Sequence, residues 1–288
     1  MRLILLTTIT MIAFAANSVL NRMALAGDHI DAMSFGTVRL IAGAVMLAVL
    51  CLALRGKLGL GGPSRAIGVA ALMGYIFGFS AAYTALDAGL GALILFGMVQ
   101  VTMFTSAFVG GEAIPVRRWT GAALALTGLA WLMWPSPETE VSIWHGGLMA
   151  LAGISWGIYS LAGRKAGDAL SATAANFIWA APLAVVLLLI VPTGDVAAPM
   201  NATGIGLAIL SGAVTSGLGY ALWYAVLPKL DASAAAVAQL TVPVIALAAG
   251  IALLGEVLTL RLTLASLLVL GGVALSSMPS RKANLTET

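Results

Sequence analysis

The sequence predicts an all-α polytopic membrane protein, with ten transmembrane helices arranged as two inverted five-helix repeats, and three observations carry that expectation. Of its 288 residues 61% are hydrophobic and only 9% are Asp, Glu, Lys or Arg, against about 25% charged in a soluble domain. The charges are grouped so that long charge-free runs lie between them. The chain also matches itself when slid by half its length.

The charge-free runs are 3–21, 40–54, 66–86, 88–111, 119–137, 141–163, 169–194, 196–228, 232–255 and 262–280. Nine of them have at least 19 residues, and a helix crossing a hydrocarbon core of about 30 Å needs about 20. The remaining run, 40–54, reaches that length when it starts near Ala32 and tolerates Arg39. The longest connections are the glycine-rich 55–65, with Pro63, and 135–145, with Pro135 and Pro137. None is long enough to fold as a separate catalytic domain. The start, with Ala13-Phe14-Ala15 after an apolar stretch, resembles a secretory signal, but the repeat counts it as a structural first helix.

Basic residues set the orientation. With the N-terminus inside, the inner side receives Arg2, Arg55, Lys57, Arg65, Arg117, Arg118, Arg164, Lys165, Lys229, Arg281 and Lys282, and the outer side only Arg22, Arg39 and Arg261. Both termini are therefore expected in the cytoplasm, and the net charge of +3 reports orientation with no nucleic-acid partner. The single cysteine, Cys51, lies in an apolar run, which excludes intramolecular disulfides and thiolate metal sites.

A shift of 144 residues superposes Leu86-Asp87 on Leu230-Asp231, Ala92 on Ala236, Gly111-Glu112 on Gly255-Glu256, Arg117 on Arg261 and Gly128 on Gly272. A shift of 142 puts Ser18 on Ser160 and Arg22 on Arg164. Two five-helix units, 1–140 and 141–288, follow. Because five is odd, the second unit enters the membrane from the opposite side, and a binding site is expected near the midplane between them.

Residues suited to that site fall into three groups. Tyr75, Phe79 and Tyr83 recur at i, i+4 in the third run and form one stripe. Tyr220, Trp223 and Tyr224 share a face of the eighth, and Trp156 and Tyr159 lie three apart in the sixth. These rings either line a central cavity, where they stack flat side chains, or anchor helices at headgroup level. The amides Asn17, Asn21, Gln100, Asn176 and Gln239 suit a zwitterion's carboxylate and ammonium, or else bond helix to helix. Gly78 in a GxxxG pair with Gly74, Pro182, Gly217 beside Gly219, and Pro243 are hinge candidates, with static kinks and close packing as the alternative.

Charged residues near helix ends have structural readings. Arg39 is expected to snorkel to the outer surface, with attraction of a substrate carboxylate as a secondary role. Glu112 and Glu256 are each expected to pair with Arg117 and Arg261 and close a hairpin, the alternative being proton coupling through either glutamate.

Catalysis finds no support. The two histidines, His29 and His145, both fall in predicted outer loops, and no HExxH spacing, Walker loop or serine elbow is present. An enzyme, a metal site or a cofactor is not expected, and a channel would want rings of carbonyls or charges along a pore.

Several stretches carry a family likeness. Phe14-Ala15-Ala16-Asn17 running on as SVLNR, Arg39 in VRLIAGAVMLAVL, and GGEAIPVRRWTGAALALTGLAWL have partners in WGIYSLAGRK from Trp156 and LLGEVLTLRLTLASLLVLGGVAL from Leu253. In these the chain resembles the EamA-type members of the drug/metabolite transporter superfamily, over essentially its whole length. One departure is Val99, where the repeat mate is Pro243. The resemblance implies export of metabolites from the bacterial cytoplasm and, with the repeat, sets the expectation of an inner-membrane carrier working by alternating access, with a small-molecule substrate, a lipid surround and a monomeric state. Joined to the aromatic pattern, it makes aromatic or large neutral amino acids the expected exported substrates, through Asn17, Phe79, Tyr83, Gln100, Trp156, Tyr159, Tyr220, Trp223 and Gln239. Aromatic or cationic drug-like compounds are the alternative.

Overall fold

The computed structural model describes residues 1–62, 64–111, 114–134, 142–164, 166–191, 200–230 and 232–277. Among these residues there are ten helices and no strand: α1 (Arg2–Ala26), α2 (Ala32–Arg55), α3 (Arg65–Ala82), α4 (Ala88–Val109), α5 (Val116–Met133), α6 (Ile143–Arg164), α7 (Ala169–Ile190), α8 (Ala202–Lys229), α9 (Ala232–Leu254) and α10 (Leu260–Ser277). Glu112, Lys165, Asp231, Arg281, Lys282 and the expected junction at 140/141 lie outside the described residues.

Apolar composition makes the helices and short polar side chains end them. Asp31 caps α2 by accepting the Ser34 N–H at 2.9 Å. Gly56 closes it in the left-handed region, φ 69°, returning its N–H to the Leu52 carbonyl. Asn201 caps α8 through the Gly204 N–H at 3.0 Å. These caps satisfy backbone groups that a helix end leaves open.

Seven helices, α1–α4 and α6–α8, are long and apolar enough to cross a membrane. In α5 the opening pair Arg117-Arg118 lowers the average. Shorter apolar helical stretches occupy 238–254 and 260–276 within α9 and α10. Large side chains turned outward, such as Leu5, Val45, Leu189 and Leu267, are apolar, as a lipid-facing surface requires.

The helices pack in a pattern that repeats five places on. α6 packs on α3 and α4, while α1 packs on α8 and α9; α2 packs on α8, while α7 packs on α3. α2 meets α7, α4 meets α9, and α5 meets α10. Small residues permit the close crossings. A Cβ on Gly272 would lie 2.5 Å from the Gly121 carbonyl oxygen, so α5 and α10 touch backbone to backbone. A Cβ on Gly78 would lie 3.0 Å from the Leu148 carbonyl, which makes Gly78 a packing position between α3 and α6. Helices α7 and α9 run unbroken through Pro182 and Pro243.

The middle of α8 departs from α-helical geometry: Leu210–Leu218 is π-helical. Such segments are rare and commonly mark functional positions. This one faces α1 and α2 and contains Gly217.

Candidate functional site

Rings from five helices meet in the interior. Trp156 on α6 is the hub, with ring centroids 4.9 Å from Tyr75 on α3, 4.9 Å from Tyr220 on α8, 5.5 Å from Tyr159 and 6.1 Å from Phe14 on α1. Phe14 continues to Trp223 at 5.9 Å. On α3 the stripe runs Tyr75–Phe79–Tyr83, with spacings of 5.3 and 4.7 Å. Phe177 of α7 closes on Tyr220 at 5.9 Å. All of these rings are buried, which answers the headgroup-anchor alternative for them: they face one another inside the bundle. The i, i+3 and i+4 spacings put each stripe on one helix face, and the helix packing turns those faces inward.

A cavity of about 880 Å³ lies at the end of the bundle that carries Arg55 and Lys229, and is lined by Leu54, Arg55, Gly163, Asp168, Tyr224 and Leu227 among others. Tyr224 connects the two regions, because it lines the cavity and packs against the buried core. At this mouth Arg55 Nε donates to Asp168 at 2.9 Å, and Asp168 also accepts the Leu170 and Ser171 N–H groups at the start of α7. Burial alone would raise the Asp168 pKa, but the bonds from Arg55 and Ser171 outweigh it and hold the carboxyl below its ordinary range.

The other end is tied shut. Arg22 donates to the Tyr83 and Thr84 carbonyls at 3.3 and 3.2 Å and pairs with Asp87 at 3.4 Å. Glu256, in the link between α9 and α10, accepts the Ala88 N–H at 2.6 Å and the Gly89 N–H at 3.4 Å, so it caps α4. This replaces the expected Glu256–Arg261 pair: Arg261 donates to the Trp131 and Trp134 carbonyls at the end of α5. A carboxylate at a helix N-terminus is favoured by the macrodipole, and the link reaches it because Gly255 turns through φ 68°. The corresponding Glu112 lies outside the described residues.

Burial raises the Glu256 pKa above its ordinary value, against the opposing effect of the Ala88 N–H; nearby Asp87 also raises it. In the unfolded chain this carboxyl ionises first, so folded stability contributed here is lost as pH rises from the ordinary glutamate value through the raised one. Glu256→Gln removes that titration and keeps an acceptor for Ala88. We expect its melting temperature in detergent to fall less than wild type's as pH rises from about 4, the ordinary glutamate value. Identical pH profiles would remove Glu256 as a titrating latch.

Arg39 corrects a sequence expectation. It does not snorkel: it is fully buried, and among the described residues it is the one charged side chain that is. Its Nε donates to Ser216 Oγ in the π-segment of α8 at 3.0 Å, and one Nη to Tyr75 Oη at 3.1 Å. The guanidinium lies 5.3 and 5.2 Å from the Tyr75 and Phe79 ring centres, a cation–π distance.

The amides divide. Asn17 is buried, and its Oδ1 accepts from Ser211 Oγ at 2.7 Å and Thr215 Oγ1 at 2.5 Å, joining α1 to α8. Asn21 accepts from Ser80 at 2.9 Å, and Asn176 from Arg65 at 2.6 Å. These three bond helix to helix. Gln100 on α4 and Gln239 on α9 are half-buried, and among the described residues no hydrogen bond ties either to the rings. The structure brings Phe14, Phe177 and Ser216 to the same cluster, beside Tyr75 and Arg39. Tyr75 was visible in the stripe; Phe177 and Ser216 sit singly in apolar runs and carry no periodic signal.

A many-helix apolar bundle with its polar and aromatic groups turned inward is that of a multi-pass membrane protein, and the family match makes it a membrane transporter of small molecules. Residues 144–278 match the EamA-like transporter family. A protein of Pseudomonas aeruginosa, named as uncharacterized protein PA1977, is 46% identical over 278 residues, which cover 96% of this chain and 95% of that one. A solved crystal structure, 20% identical, superposes with a TM-score of 0.62 over 93% of this chain and 96% of its own, a likeness of fold. The chain belongs to the EamA-like transporter family.

Proposed function

We propose that the protein is a secondary carrier of the bacterial inner membrane that exports small amphipathic metabolites, chiefly aromatic or large neutral amino acids. It works by alternating access between two inverted five-helix units, 1–140 and 141–288, with both termini in the cytoplasm. The observation that carries this reading is the buried ring cluster around Trp156, which draws on α1, α3, α6, α7 and α8 and so on both units. Helix contacts that recur five places on and a family match beginning at residue 144 support the two-unit division.

With the basic end facing the cytoplasm, the cavity beside Tyr224 receives substrate while Arg22, Asp87 and Glu256 hold the far end closed. Rings that part and close again around a flat side chain replace one aromatic contact by another, at little cost in burial. The Arg22–Asp87 tie and the Glu256 cap are then the contacts that break when the outer side opens. Exposed or half-exposed polar ties of this kind are weak, and suit a gate that must open repeatedly.

The test is transport by the full chain in liposomes loaded with labelled Phe, Thr, Lys or a quaternary amine. Phe is expected to leave fastest, and Lys and the quaternary amine slowest. Failure to move any of the amino acids would overturn the reading.

A further inference from the structure

Three buried polar atoms near the hub, Arg39 Nη1, Tyr159 Oη and Tyr220 Oη, make no hydrogen bond of ordinary geometry, and the groups within looser reach of them, Tyr220 and Tyr75 for Arg39 and Thr173 and Asn176 for Tyr159, are all neutral. The three residues are neighbours. Tyr159 and Tyr220 both pack on the Trp156 ring, which also meets Tyr75, the hydroxyl that accepts from Arg39. Buried polar groups in proteins are nearly always bonded, and an unpaired buried cation is the most costly kind of exception. Here the cation's protein partners, Ser216 and Tyr75, are neutral, and among the described residues no Asp or Glu is buried. The site therefore presents one positive charge, two tyrosine hydroxyls and a ring wall, and among the described residues no carboxylate faces it.

From this we infer that the group recognised at the centre of the carrier is a carboxylate, and that the substrate class is aromatic carboxylate anions, whether or not they bear an amine. The inference rests on the carrier reading and narrows it. A carboxylate has two oxygens with four lone-pair directions and pairs with a guanidinium through charge-assisted bonds. The two tyrosine hydroxyls supply further donors, and Trp156 supplies a face for the substrate ring. An ammonium group finds no counter-ion among the described residues and meets the charge of Arg39. The amine of an amino acid is therefore incidental to binding, and an aromatic cation without a carboxylate is excluded. This also sets the drug-like cation alternative aside.

The experiment is equilibrium binding to the full chain in detergent, which is independent of transport. Four probes share one phenyl ring: 3-phenylpropionate, L-Phe, 3-phenylpropionamide and phenethylamine. The two carboxylates are expected to bind within about threefold of each other, and the amide and the amine at least about tenfold more weakly, the loss of one charge-assisted contact. Arg39→Gln is expected to abolish the preference for acid over amide, Arg39→Lys to keep part of it, and Tyr220→Phe to weaken the acids several-fold while sparing the amide. Should Arg39→Gln fail to fold, the wild-type series and Tyr220→Phe still decide. Amide or amine binding within threefold of the acid, or no acid binding, overturns the inference. Export of Phe in liposomes alongside either result leaves the carrier standing with a different recognition group, whereas no export of any amino acid removes the carrier itself.

Discussion

Gly212→Ala is expected to destabilise the folded protein by about 1–3 kcal/mol, the usual result of forcing a methyl group into a packed contact. Gly212 lies in the π-segment of α8, and a Cβ there would meet the carbonyl oxygen of Arg39 and lie 2.9 Å from both the Arg39 Cα and the Ala42 Cβ. The obstacle is backbone, which cannot rotate away. Helices α2 and α8 must separate, and because Ser216 lies four residues on, the Arg39 Nε bond at 3.0 Å stretches with them. The melting temperature in detergent should fall, and binding of carboxylate probes with it. Gly206→Ala is the control, since a Cβ at Gly206 meets nothing within 4 Å. In an exposed α-helical turn alanine is favoured over glycine by about 1 kcal/mol, so this variant should match or exceed wild type. A Gly212→Ala protein as stable as the control would mean that the α2–α8 crossing is looser than the geometry implies.

That crossing also explains what was legible in the sequence and what was not. Charge spacing alone located ten helices, because a hydrocarbon layer tolerates few ionised groups and the exceptions fall at the ends. Ring spacing gave the inward faces of α3, α6 and α8, since a helix fixes which residues share a face. Arg39 defeated the same reasoning. Seven residues past Ala32 it is within snorkelling reach of the helix start, and only the approach of a second helix through Gly212 and Ser216 turns it inward. That approach depends on a nine-residue π-segment, which the 3.6-residue period cannot reveal. Glu256 failed for a related reason: the neighbouring Arg261 was a plausible partner in sequence, but the link folds back to α4, a helix 168 residues away at Ala88. Both misreadings concern long-range partners, and both concern charges. Local pattern placed the helices; the choice of partner across the bundle is made by backbone approach.

Trp156→Ala is the substitution expected to do most damage, to stability and to transport together. The indole is 6% exposed and meets four rings, those of Phe14, Tyr75, Tyr159 and Tyr220. Truncating a buried tryptophan costs about 3–5 kcal/mol, made up of lost contacts and the cavity left behind. Since the rings that lose their partner come from α1, α3, α6 and α8, no single helix can move in to fill the space. A lower melting temperature alone does not separate a packing role from a substrate site, but the cavity itself does. The space left would be walled chiefly by aromatic rings, and a cavity with such walls takes up a matching aromatic molecule. Added indole should therefore raise the melting temperature of Trp156→Ala towards wild type and leave wild type unchanged. In the same variant, export of Phe should remain lost in the absence of indole and stay lost in its presence, because the guest occupies the face against which the substrate ring stacks. Trp156→Phe, which keeps a ring at the hub, should retain the fold and part of the transport. Wild-type export by a folded Trp156→Ala protein would place the substrate path elsewhere in the bundle, and the cluster would then be packing alone.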